Sequence, residues 1–132
     1  MLGAIIGDIA GSRFEFDPTN DYDFERFAQD SDFMDDTICT VVVMDAILRN
    51  RDFGESIHEW CRRYPHPMGG YGGRFAQWVR SDNPQPYNSF GNGVVMRVSP
   101  VASTFFDIAH FHTESSCILL LHLCLAFSMP NV

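Results

Sequence analysis

Lysine is missing from this chain of 132 residues, and all nine of its cationic side chains are arginines. Without lysine there is no Gly-Lys-Ser or Gly-Lys-Thr, so the glycine-bearing stretches are not Walker-type phosphate loops. The four cysteines, Cys39, Cys61, Cys117 and Cys124, show no Cys-x-x-Cys spacing and no companion His pattern suited to zinc. They read as reduced, buried thiols of a cytoplasmic protein. The longest apolar run, CILLLHLCLAF at 117–127, falls well short of the ~20 residues that span a bilayer. The start, MLGAIIGDIAG, lacks the basic residues of a secretion signal and meets Asp8 early. No membrane association is expected. Linkers and low-complexity tracts are also absent, and a chain of this length can bury roughly two thirds of its unfolded surface in one core.

Charge is plentiful but unevenly placed. Residues 1–59 hold 14 Asp or Glu against 4 Arg, whereas residues 60–132 hold 3 against 5, for a net charge of −8. An acidic first half repels a phosphate backbone, which argues against nucleic-acid binding, and it attracts divalent cations.

Periodicity points to helices throughout. Gly3, Gly7 and Gly11 lie on one stripe of an opening helix, and three glycines in a helix interior, each costing about 1 kcal/mol relative to Ala, imply a backbone or ligand against that face. A loop is expected over 17–34. From Asp36, the apolar Ile38, Val41, Val42, Met44, Ile47 and Leu48 predict a helix that lies inside the domain. Phe53, Ile57, Trp60, Cys61 and Tyr64 predict a second, closed by Pro65. A glycine-rich loop, HPMGGYGGR, precedes a short helix, RFAQWVRS, and a second glycine-bearing loop leads into VVMRVSP. With no alternating strand pattern, the fold class is all-α.

Two stretches carry chemistry. In DSDFMDDTICTVVVMDAIL (30–48), Asp35 and Asp36 stand where the buried helix begins. They suit a helix cap, because carboxylates favour the positive end of the helix dipole. They also suit a hard cation, Mg²⁺ or Mn²⁺, with the Thr37 hydroxyl nearby. The residues alone leave both readings open. SFGNG (89–93) suits either a turn with an N-cap or a phosphate-receiving helix start, with Ser89 and Asn92 donating and Gly91 and Gly93 permitting close approach. His58, His66, His110, His112 and His122 form no metal spacing; His58 reads as an exposed helix residue. No serine has a nucleophile-elbow context.

Taken in order and spacing, GAIIGDIAGSRFEF, FMDDTICTVVVMDAIL, WCRRYPHPMGGYGGRFAQW and PYNSFGNGVVMRVSPV resemble the ADP-ribosylglycohydrolase family over residues 1 to about 101. The resemblance implies an all-α fold, the N-terminal part of a helical ADP-ribosylglycohydrolase-like domain, with 102–132 a divergent tail. It implies a binuclear Mg²⁺ or Mn²⁺ site and hydrolysis of the glycosidic bond joining ADP-ribose to a protein side chain or related acceptor. Carried over residue by residue, it makes Asp35 and Asp36 metal ligands and Glu15 and Asp36 catalytic. Ser89, Phe90, Gly91, Asn92, Gly93 and Met96 then lie along the diphosphate and its riboses. Two departures follow. Family members carry Thr where this chain has Met34, a soft thioether in place of a hard oxygen. Their downstream Asp-x-Asp-Thr ligands have no counterpart in this sequence, which implies weak or absent hydrolysis by this chain alone. A non-catalytic ADP-ribose-binding module is the alternative.

Overall fold

The helix expected from Asp36 is the element around which the others pack. In the computed structural model, which describes residues 1–87, 93 and 95–109, this helix (α2) runs from Asp35 to Arg49 and buries Ile38, Cys39, Thr40, Val42, Val43 and Ala46. Buried side chains on that many sides leave α2 exposed only at Asp36 in its first turn and at Leu48 and Arg49 in its last, so α2 sits at the centre. It packs against α1 (Leu2–Gly11), α3 (Phe53–Arg63) and α5 (Val95–Ala109). Among the described residues there is no strand, only one isolated bridge between Met34 and Met68. The all-α expectation holds.

Local sequence accounts for the boundaries. Asn50 ends α2 in the left-handed region (φ 50°, ψ 48°), a conformation asparagine tolerates, and its N–H turns back onto the helix carbonyls. Asp52 caps α3 by accepting from the Glu55 N–H at 2.9 Å. The amphipathic α3 buries Ile57 and Cys61 against α2 and gives way before Pro65. α4 (Gly73–Arg80) buries Val79 and stacks Phe75 on Trp78, 5.6 Å between ring centres.

α5 shows how a helix-breaking residue is accommodated. Pro100 lies inside it, fully buried, and has no N–H to offer the carbonyl of Met96 four residues earlier. Thr40 of α2 fills the gap: its hydroxyl donates to the Met96 carbonyl at 2.7 Å. A buried polar threonine on an otherwise apolar helix is thereby explained. Thr40→Val keeps the shape but orphans that carbonyl, and should cost about 1–2 kcal/mol in denaturant unfolding. A null effect would mean that water or another donor reaches the Met96 oxygen.

Two expectations fail here. At Gly3, Gly7 and Gly11 an added Cβ would meet nothing within 4 Å, and α1 buries no residue, so among the described residues no backbone lies against the glycine stripe, contrary to the packing half of that expectation. His58 is half-buried rather than exposed; its Nε2 bonds the Ser81 carbonyl at 2.9 Å and its ring stands edge-on to Trp78. The sequence offered no sign that the end of α4 would reach back to α3. Position 101/102, where the tail was expected to begin, lies inside α5.

Candidate functional site

The start of α2 is held by a residue from another helix. Met34 occupies the N-cap position with extended backbone (φ −108°, ψ −171°) and contributes no side-chain cap. Asp8 of α1 does so instead. Its Oδ2 accepts from the Met34 N–H at 2.9 Å, from the Thr37 N–H at 3.2 Å and from the Thr37 hydroxyl. These N–H groups have no partner within the helix, so a carboxylate there satisfies them and meets the positive end of the dipole. Ser12 locks the arrangement: fully buried, it donates to the Ile9 carbonyl at 2.9 Å and accepts from the Asp32 N–H at 3.1 Å.

With Asp8 as the cap, Asp35 and Asp36 are released from that duty. They are the first two residues of α2, Asp35 half-buried and Asp36 exposed. Burial, then Asp36, and then Asp8 and Glu15 push the Asp35 carboxyl up to about 6. Asp36 is raised as well, first by burial and then by Asp8 and Glu15, while the Arg97 guanidinium opposes the rise. Four carboxylates therefore share one field, and a protein does not assemble like charges at a partly buried helix start for stability's sake.

The glycine loop closes one side. The Met34–Met68 bridge brings it to α2, and Gly69 adopts φ 78°, where only glycine is unstrained. A Cβ at Gly69 would lie 3.0 Å from Met34 Cε and 3.6 Å from Glu15 Cγ. Glu15, Met34 and Gly69 thus converge. On another side Arg97 rests its guanidinium over the Phe75 ring, 4.9 Å from its centre, with Nη2 3.8 Å from where a Gly93 Cβ would lie.

Of the site residues expected from sequence, Glu15, Asp35 and Asp36 are brought into one cluster, and Met96 is tied to α2 through Thr40. Gly93 sits beside Arg97. Ser89, Phe90, Gly91 and Asn92 lie outside the described residues. Asp8 and Arg97 were missed. Asp8 had a signal, being the one charge in an otherwise apolar opening helix; Arg97 had none beyond a cation inside VVMRV.

The chemistry of the donor set bears on a metal. Among the described residues, no group of three or more His, Cys, Asp or Glu side chains could hold an ion. One carboxylate, Asp8, is already spent on three hydrogen-bond donors. The cluster attracts cations, but the described residues do not furnish a metal centre.

A family model, ADP-ribosylglycohydrolase, matches residues 1–119 of the chain. No curated protein and no solved structure matches it.

Proposed function

The chain belongs to the ADP-ribosylglycohydrolase family, and from that premise we propose that the acidic cluster at the start of α2 serves hydrolysis of the glycosidic bond between ADP-ribose and a protein side chain or related acceptor. The observation that carries this reading is the convergence of Glu15, Asp35 and Asp36 at a helix start that Asp8, not either aspartate, caps. In this reading Glu15 faces the ribose, Asp36 guides water toward the anomeric carbon, and Ser89 to Gly93 with Met96 lie along the diphosphate. Mg²⁺ or Mn²⁺ in a binuclear site belongs to the family pattern. Asp35 and Asp36 match its first ligands, and this sequence has no Asp-x-Asp-Thr to match the rest.

A second reading, recognition without hydrolysis, is favoured by the incomplete donor set. Calorimetric titration with ADP-ribose, alongside release of ADP-ribose from a modified peptide, separates the two. Binding with turnover supports the hydrolase, binding without turnover the module, and no binding removes both.

Met34→Thr tests the metal arm. Threonine is a favoured N-cap residue and returns a hard oxygen beside Asp35. Mn²⁺ affinity should rise by up to about tenfold, since the new oxygen displaces only a water ligand, and Asp35→Asn should abolish the gain. The measurement is metal affinity rather than stability, because the lost thioether also leaves space against Gly69. Unchanged affinity would show that position 34 does not face the ion.

A further inference from the structure

The loop between α1 and α2 holds aromatic rings out to solvent, where the fold makes no use of them. Phe16 is 81% exposed, Tyr22 97% and Phe27 60%, and none of the three has a ring contact or an overlying cation among the described residues. The loop is nonetheless anchored. Phe24 stands edge-on to Phe14 at 5.1 Å between ring centres, and Asp30 pairs with Arg13 at 3.7 Å, which fastens it to the short helical turn Ser12–Phe14 after α1. Phe16 and Tyr22 lie before the Phe24 anchor and Phe27 after it. Tyr22 is carried at the centre of a turn in which the Asp23 N–H donates to Asp21 Oδ1 at 2.9 Å. Exposed rings of this size mark a surface that another molecule covers.

Charge says what kind of molecule that is. Asp17, Asp21, Asp23 and Glu25 are interspersed with the rings, and Arg26 is the one cation between residues 15 and 34. None of the four carboxylates is in an ion pair among the described residues. The chain itself shows which cation suits a ring beside a carboxylate. Arg13 lies over Phe14, 5.3 Å from its centre, while its Nε meets Asp30, and Arg63 lies over Trp60 at 5.8 Å while its Nη2 meets Glu59 at 3.0 Å. In both places a flat guanidinium satisfies ring and carboxylate together. Phe16 with Asp17, and Tyr22 with Asp21 and Asp23, offer the same combination without the arginine.

We propose that the loop over residues 16–27 is a docking surface for an arginine-rich segment of another protein, whose guanidinium groups stack on Phe16, Tyr22 and Phe27 and pair with the carboxylates beside them. Lysine fits less well, because its compact, strongly hydrated ammonium pairs with a carboxylate but does not lie flat on a ring. A phosphate backbone is repelled by this charge. A second copy of the chain is disfavoured too, since a two-fold contact would press the same unpaired carboxylates against each other.

The place of the loop gives the contact a use. It leaves directly after Glu15 and returns at Met34, two residues that converge on Gly69, so a docked segment is held beside the acidic cluster. That the segment belongs to an ADP-ribosylated protein rests on the hydrolase reading above. The docking itself does not, and unmodified peptides test it.

The test is fluorescence anisotropy with the full chain and labelled peptides of equal length that alternate glycine with arginine, lysine or glutamate. The arginine peptide is expected to bind with an affinity that falls as salt is raised, the lysine peptide about fivefold or more weakly, and the glutamate peptide not at all. Phe16→Ala, Tyr22→Ala and Phe27→Ala should each weaken the arginine peptide by about two- to fivefold, with the thermal midpoint unchanged because the rings are exposed. Leu48→Ala, which removes a 77% exposed apolar side chain at the opposite end of α2, should leave binding as it is. Equal affinity for the arginine and lysine peptides, or no loss in the ring variants, would reduce the loop to a solvated acidic surface and overturn the proposal. No binding at low salt would overturn it as well. So would dimerisation of the chain that the ring variants abolish and the arginine peptide fails to compete.

Discussion

Asp8→Ala should destabilise the protein by about 2–3 kcal/mol at neutral pH, the largest loss expected from any single change at the site. Losing a capping carboxylate costs about 1 kcal/mol, and the remainder comes from the donors left behind. The Met34 N–H, the Thr37 N–H and the Thr37 hydroxyl all converge on one Asp8 oxygen. In the variant the partly buried ones lack a partner unless water enters. One effect runs the other way, because Asp8 contributes to the repulsion that raises Asp35 and Asp36. Asp8→Asn separates the two effects: its amide oxygen still accepts while the charge is gone, so most stability should return. Denaturant midpoints for the wild type and both variants provide the check. Equal loss in Asp8→Asn and Asp8→Ala would show that charge at the helix dipole, not hydrogen bonding, is what α2 requires.

That Asp8 was missed while Asp35 and Asp36 were singled out shows what kind of information sequence carries here. Helices were legible because their signals are local: the apolar spacing of Ile38, Val42 and Ile47 and the stop before Pro65 lie within or beside the element they define. The Asp8 bond to the start of α2 spans 26 residues of sequence, and the Thr40 bond to Met96 spans 56. Neither has a periodicity to betray it. The glycine stripe of α1 failed for a related reason. Small residues at i, i+4 and i+8 say that something could approach closely, and the described residues place nothing there. Only the family resemblance, which encodes spatial relations indirectly, joined Glu15 to the aspartates before the geometry did.

Asp35→Asn should stabilise the fold at pH 7 and leave it unchanged near pH 4. In the folded protein burial and the neighbouring carboxylates raise Asp35 from 3.8 to about 6. The folded state therefore holds this proton more tightly than the unfolded chain does. The contribution favours folding in full below about pH 4 and is lost as pH rises through about 6. A difference of that size corresponds to about 3 kcal/mol at ~1.36 kcal/mol per pH unit, and partial exposure to solvent reduces it to about 1–2 kcal/mol. Asparagine has no proton to lose, so the variant should gain that much at pH 7. A carboxylate placed for capping predicts the opposite sign, since its removal would weaken the helix start. Unfolding midpoints of both proteins between pH 4 and pH 7.5 decide the matter, with the curves expected to diverge between about pH 4 and 6.5. If Asp35→Asn is less stable at pH 7, the pair is a cap after all. If it is more stable, and if Mn²⁺ raises the melting temperature of the wild type but not of Asp35→Asn, then Asp35 keeps its charge at a cost to the fold in order to bind a cation.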